Sequence, residues 1–297
     1  MSKPKVIAIV GPTASGKSAL GIFLAQKLGG EIISADSRQV YRGLDIATGK
    51  VTKKEMAGIP HHLLNVASPK RQFSVDDFVK KAQNVIEKSM IYHTFPIVVG
   101  GTGLYIDMLL GRMTMPNVAP NPALRARLEK KSAEELLSIL KKLDLRRAGT
   151  IEPGHKRRII RAIEIAKAIG KSPLPKPEQK YDVLWLGLAP DEKKLKKNIH
   201  LRTIRRMKAG MVMEAKRLHK AGVSYKRMHE LGLEYRSLAQ YLQGLLNKEA
   251  LVAEIERGNW DYAKRQMRWF KRNKDIIWIG NKAKAMRLAK KFLSGHK

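Results

Sequence analysis

Gly11-Pro12-Thr13-Ala14-Ser15-Gly16-Lys17-Ser18 fits the pattern GxxxxGK[ST]. It follows a β-branched run, Val6 to Val10, and precedes apolar residues at helical spacing, the context in which that pattern forms a phosphate cradle. Loop amides and the amino end of the next helix would hold phosphate oxygens, Lys17 would add a cation, and the Ser18 hydroxyl would coordinate Mg2+. A glycine turn that merely packs a helix on a sheet is the alternative. The motif leaves the ligand open, because ATP, GTP or a simple pyrophosphate ester would each satisfy it.

Two further loops offer chemistry. In SADSRQVYRGLDIATGK, Ser34 to Lys50, Asp36 suits a general base. A water-mediated hold on magnesium or a plain turn cap suits an aspartate there equally. Arg38, Gln39 and Arg42 add hydrogen-bonding groups fit for a base or a phosphate. In VVGGTGLY, Val98 to Tyr105, glycines again sit at a strand end with Thr102 opening a helix, where simple capping is the alternative. His61 and His62 are adjacent and lack an accompanying ligand cluster, which favours structural roles over a metal. In YAKRQMRWF, Tyr262, Gln266 and Trp269 share one helical face among cations. Bases could stack on those rings, although core packing is the simpler use for them.

Positioning these loops requires strands that alternate with helices. Val6 to Val10, Glu31 to Ser34, Pro96 to Gly101, Val183 to Leu188 and Ile276 to Ile279 read as strands. Ser18 to Leu28, Val75 to Tyr92 and Thr102 to Leu110 read as helices, the first ended by Gly29-Gly30. The predicted fold is α/β: a P-loop NTPase-like, doubly wound parallel sheet with ligands outside the carboxyl ends of its strands. Prolines after Gly111 mark a change of pattern, and Asn121 to Ile169 is helical throughout, with caps at Asn121 and Ser132. A Pro-rich exit, GKSPLPKPEQ, closes this insertion. The division is therefore a core over 1–112, a helical insertion over 113–180, and the rest of the core with a helical C-terminal region over 181–297.

Charge points to a polyanion. The 297 residues carry a formal net charge of +33, and self-repulsion of that size is relieved by nucleic acid. The excess lies outside the phosphate-binding segment. Residues 1–112 hold 15 basic and 8 acidic side chains, 113–180 hold 16 and 7, and 191–297 hold 28 and 10. No cysteine is present, which excludes disulfides and thiolate chemistry. No apolar run reaches the roughly 18 residues of a membrane helix, and Met-Ser-Lys-Pro-Lys leads directly into a strand. A cytoplasmic protein with no membrane partner is expected.

The three loops together, in their order, resemble the tRNA dimethylallyltransferases, also called isopentenyl-tRNA transferases. The likeness continues through PHHLLNV (60–66), FSVDDF (73–78), PALRARLE (122–129), KRRIIRAIE (156–164), GLEYRSL (232–238) and YAKRQMRWFKR (262–272). It spans nearly the whole chain. The resemblance implies transfer of a dimethylallyl group from its diphosphate to N6 of adenosine 37, beside the anticodon, in tRNAs reading codons that start with U. It implies that Gly11 to Ser18 bind the donor's diphosphate with Mg2+ at Ser18, that Lys17 supports the leaving group, and that Thr13 contacts donor and reacting amine. Asp36 matches the general base. Ser37, Arg38, Gln39 and Thr102 match positions that hold the target adenine. Arg125, the block Arg157-Arg158-Ile159-Ile160-Arg161, and Gly232, Tyr235 and Arg236 match contacts to the tRNA anticodon stem-loop.

Three departures from the family pattern bear on the site. The segment Gly232-Leu-Glu-Tyr-Arg236 is two residues longer than the usual GYR or GYK. Asn198-Ile199 stands where members often carry an Arg-Ile pair that helps bind the diphosphate, which makes Arg202, one turn later, the candidate here. Asn65 stands where aspartate is common, a change expected to affect one local hydrogen bond.

An adenylate isopentenyltransferase acting on free AMP or ATP shares this loop architecture but has no use for a basic helical insertion. A small-molecule P-loop kinase would want an apolar strand ending in a magnesium-binding aspartate, which the sequence lacks. A basic RNA-binding module would leave three strand-end loops without purpose. Because tRNA can straddle the insertion and core of one chain, a monomer suffices.

Overall fold

A computed structural model describes residues 3–114, 116–173 and 177–295. Six strands, β1 (Lys5–Val10), β2 (Gly30–Ala35), β3 (His61–His62), β4 (Phe95–Gly100), β5 (Asp182–Leu188) and β6 (Ile277–Ile279), form one sheet in the order β3-β2-β4-β1-β5-β6. All pairings are parallel. The four inner strands are apolar and buried along most of their length, as expected where helices cover both faces. One face packs Val6, Ala8 and Val10 with Phe78 and Ile106, and the other packs Ile7 and Ile9 with Leu24 and Ala289.

Register decides where the loops emerge. Val10 pairs with both Gly100 and Gly187, and Ala35 pairs with Gly100. The ends of β1, β2, β4 and β5 are therefore level, and the loops after them open onto one edge.

The helices follow from local signals. α1 (Lys17–Leu28) starts at Gly16, whose φ of 91° is left-handed, and has no side-chain cap, so its first amides remain available to a ligand. α2 (Lys53–Met56) is one turn. α3 (Val75–Ile91) opens with a capping box of Ser74 and Asp77. α4 (Gly103–Leu109) has Thr102 at its N-cap.

Two compact units make up the chain, one spanning Arg112–Glu178 and the other the remainder. The smaller unit holds α5 (Pro122–Glu129), α6 (Ala133–Leu143), α7 (Leu145–Thr150) and α8 (Lys156–Ile169). Asn121 caps α5 through Leu124 N, and Ser132 forms a capping box with Glu135 on α6. Its core is Leu128, Leu136, Leu140, Ile159, Ile160 and Ile163. Part of the Pro-rich exit, residues 174–176, lies outside the described residues.

After β5 the larger unit continues with α9 (Glu192–Lys208), α10 (Met211–Lys220), α11 (Tyr225–Leu231), α12 (Leu233–Leu242) and α13 (Lys248–Phe270). α14 (Lys282–Ser294) follows β6 and packs on the α1 side of the sheet. α10 to α13 share a core with Val40, Tyr41, Leu44 and Ala47, so the loop after β2 is packed into the helical region.

Candidate active site

The phosphate loop keeps the shape its sequence predicts. Ala14 adopts φ 61° and Gly16 φ 91°, turning successive amides inward. Lys17 Nζ donates to Pro12 O at 2.5 Å. Burial, then the positive charge of Arg202, pulls the Lys17 ammonium down to about 7, against the raising effect of Asp36. The Ser15 hydroxyl is buried without a hydrogen-bond partner. Two cations held together and an orphaned hydroxyl in one cradle are what an anionic ligand would satisfy. Ser18 is exposed at the start of α1.

Arg202, on α9, is near enough for Lys17 to feel its charge. Its Nη2 donates to Asn259 Oδ1 at 2.8 Å, and burial, then Arg206, lowers its guanidinium to about 9 while Glu234 and Asp36 oppose. Asn198, one turn earlier, uses its amide differently: Nδ2 donates to Ala14 O at 3.1 Å, bracing the loop itself.

Asp36 begins the turn after β2. Its Oδ1 accepts Arg38 N at 2.8 Å and Gln39 N at 3.3 Å. Among the described residues Oδ2 receives no hydrogen bond. The carboxylate thus both caps a turn and presents a free oxygen, and its charge is felt by Lys17, Arg202 and Arg206. Ser37 N donates to Thr102 Oγ1 at 3.0 Å. Thr102 sits at an N-cap yet makes no capping hydrogen bond; its hydroxyl joins two strand-end loops instead. Gln39 Nε2 reaches Gly49 O at 3.4 Å, and Arg38 Nη1 donates to Glu230 O at 3.3 Å. Arg38 also lies against Gly232, so the lengthened GLEYR segment meets the Asp36 loop.

The far end of that loop is held by buried charge. Glu214, only 4% exposed, accepts Asp45 N, Ile46 N and Ala47 N at 2.9, 2.7 and 3.0 Å, together with Tyr235 OH at 2.6 Å. Arg206 donates to Ala47 O at 2.9 Å. Gly49 has φ 60°, and a Cβ there would fall 1.7 Å from Arg206 Nη2. Lys50 Nζ donates to Tyr41 O, Asp45 Oδ1 and Asn65 Oδ1. Asn65 is therefore one neutral acceptor in a lysine's shell, the local role expected of it.

Helix α13 runs beside the strand ends. Gln266 Oε1 accepts Thr13 N at 2.7 Å and its Nε2 donates to Gly101 O at 2.8 Å. Trp269 Nε1 donates to Asp107 Oδ2 at 2.8 Å. Tyr262 lies close to Thr102, and burial, then the Asp36 charge, pushes its phenol up to about 12. His61 Nδ1 lies 2.8 Å from Ile59 O and His62 Nε2 lies 2.7 Å from Glu31 Oε2, both in structural contacts.

Several expected RNA contacts fall elsewhere. Ile159 and Ile160 are buried in the core of the smaller unit, and Tyr235 is buried with its hydroxyl on Glu214. Their side chains face the protein interior, so they pack rather than present themselves at the surface. Arg125 pairs with Glu164 through two hydrogen bonds, at 3.0 and 2.8 Å, and Arg161 donates to the same carboxylate and to Val118 O. Burial alone would raise Glu164, but Arg125, Asn121 N and Arg161 outweigh it and hold the group near about 2. Arg157, Arg158 and Arg236 are exposed. Glu214 and Arg206 are site-shaping residues that motif reading alone does not single out, and for Gln266 and Asn198, which the sequence does mark, it gives no sign of their partners; a lone side chain on a helix carries no local signal of a partner over 150 residues away.

Comparison with known proteins agrees with this geometry. A family model described as IPP transferase matches residues 39–273, and one described as isopentenyl transferase matches residues 4–71. The tRNA dimethylallyltransferase of Pelotomaculum thermopropionicum is 38% identical over 285 residues, covering 93% of this chain and 91% of that protein. The crystal structure of the full-length tRNA isopentenylpyrophosphate transferase from Bacillus halodurans superposes with a TM-score of 0.74 at 34% identity, covering 99% of this chain and 96% of that one. A eukaryotic dimethylallyltransferase acting on tRNA gives a TM-score of 0.86 at 27% identity, covering 99% and 80%. With the matched region running through all three loops and the helices that brace them, this chain belongs to the IPP transferase family, the tRNA dimethylallyltransferases.

Proposed function

We propose that this enzyme transfers a dimethylallyl group from dimethylallyl diphosphate to N6 of adenosine 37 in tRNAs reading codons that start with U, giving N6-(dimethylallyl)adenosine. The observation that carries this reading is the placement of Asp36 Oδ2, free of hydrogen bonds among the described residues, on the same sheet edge as the Lys17 and Arg202 cradle. A base and an anion site side by side suit a reaction in which a proton and a diphosphate leave together.

An exocyclic adenine amine is a weak nucleophile, so the departing group must be stabilised and the amine proton removed. The N6 lone pair forms a bond to the allylic carbon, the carbon–oxygen bond to diphosphate breaks, and the N6 proton passes to Asp36. The amides of the Gly11 to Ser18 loop that are not taken by other residues, with Lys17 and Arg202, receive the charge of pyrophosphate. Ser37, Arg38, Gln39 and Thr102 position the adenine, which leaves the anticodon loop more cheaply than it would leave a duplex.

Mg2+ fits this cradle. Among the described residues no group of three or more His, Asp or Glu forms a protein cage, and Ser18 with donor oxygens and water is the hard-oxygen set magnesium prefers. Bound there, it would neutralise charge on the diphosphate. Arg157, Arg158 and Arg236 are candidate tRNA phosphate contacts. The same reading sets the enzyme in the cytoplasm with its tRNA and is satisfied by a monomer. No helix among the described residues is long and apolar enough to cross a membrane.

The test is mass spectrometry of unmodified tRNA incubated with the protein, dimethylallyl diphosphate and Mg2+, with nucleoside triphosphate omitted. One C5 unit on adenosine 37 is expected. Unmodified tRNA, with AMP prenylated in a parallel incubation that supplies it, would overturn the reading.

A further inference from the structure

Gln266 is 5% exposed, and both ends of its amide are engaged on different loops. Its Oε1 takes the amide hydrogen of Thr13 in the phosphate loop after β1, and its Nε2 donates to the carbonyl of Gly101, which precedes Thr102 after β4. β1 and β4 are neighbours in the sheet, so one side chain spans the gap between the loop assigned to the donor and the loop assigned to the acceptor.

The sequence makes room for this contact. A Cβ on Gly101 would sit 2.1 Å from Gln266 Nε2, and one on Gly103 would sit 2.2 Å from Trp269 Cδ1. A methyl at 103 would run into the indole and one at 101 would displace the Gln266 amide, so glycine at both leaves this contact intact. Neighbouring residues on the same helical face continue the pattern, with Asn259 on Arg202 and Trp269 on Asp107.

We infer that Gln266 is a positioning residue that sets the separation between the donor loop and the acceptor loop. It touches neither substrate. Its effect passes through Thr13 and Gly101-Thr102, and so through the distance between the allylic carbon and N6. Reacting atoms must come within about 3–3.5 Å, and a misplacement of about 1 Å costs roughly 100-fold in rate. The Thr13 amide is already committed to Gln266, so losing Gln266 removes no hydrogen bond to diphosphate. The loss should therefore appear in turnover rather than in binding.

This inference rests on the prenyl-transfer reading, and the wild-type protein in the same assay separates the two. The decisive variant is Gln266→Met, nearly equal in volume but unable to make either hydrogen bond. Expected is a fall in kcat of roughly 100-fold, with KM for both tRNA and dimethylallyl diphosphate within about 3-fold of wild type. If Gln266→Met does not fold, Gly101→Ala decides, because its methyl group displaces the same amide while leaving Gln266 in place. Unchanged kcat, or a rise in either KM at constant kcat, would overturn the inference. A wild-type protein that transfers nothing to tRNA would remove the reading beneath it.

Discussion

The Thr102 hydroxyl accepts a hydrogen bond from Ser37 N at 3.0 Å, so the loop after β4 is tied directly to the residue that follows Asp36. Simple capping, the alternative the sequence leaves for Thr102, is not what its hydroxyl does; it holds the loop that carries Asp36. Thr102→Ala leaves that amide unpartnered, at a cost of about 1–3 kcal/mol to the arrangement. Steady-state kinetics should show kcat/KM for tRNA down by roughly 10-fold or more, while Thr102→Ser stays close to wild type. Equal activity of both variants would mean that the hydroxyl has no part in positioning.

Lys17 gives a pH signature. Its folded pKa of about 7 lies below the unfolded value of 10.5, so between those values the unfolded chain binds more protons and this group adds stability as pH rises. A diphosphate favours the charged ammonium, so donor binding at pH 8 should take up about one proton and weaken as pH rises further. Calorimetry in buffers of different ionisation enthalpy measures the uptake. Lys17→Met should abolish it.

How much of this was readable from the chain depends on how local each signal is. Val6 to Val10, the phosphate loop, and the caps at Ser74, Asn121 and Ser132 are short-range patterns, and each forms as its residues dictate. The two-residue strand His61–His62 has no apolar pattern and exists because Ile32 and Ile33 offer a free edge. Ile159 and Ile160 carry two signals at once. The RRIIR block resembles a contact motif, yet with Ile163 the two isoleucines mark the buried stripe of α8, a signal helical spacing already contained. The partners of Glu214 and Gln266 could not be read locally, because the amides they serve lie on distant loops.

Glu164 and Arg158 separate structure from recognition on α8. Removing Glu164 leaves Arg125 and Arg161 without their carboxylate and should destabilise the smaller unit by about 3–5 kcal/mol. With its pKa lowered to about 2 from 4.5, the wild-type contribution is present above 4.5 and lost as pH falls toward 2. Thermal melts between pH 5 and 3 should show that loss in wild type and not in Glu164→Gln. Arg158→Ala should instead leave melting unchanged, weaken tRNA binding and reduce its salt slope by about one.

Single-turnover transfer by Asp36→Ala, with tRNA and dimethylallyl diphosphate at saturation and both affinities measured in parallel, tests the central assignment most directly. The predicted result is loss of C5 transfer with tRNA affinity kept within several-fold, because the proton acceptor serves the transfer step more than tRNA binding. Transfer at a near-normal rate would contradict the account and leave Asp36 as a turn cap.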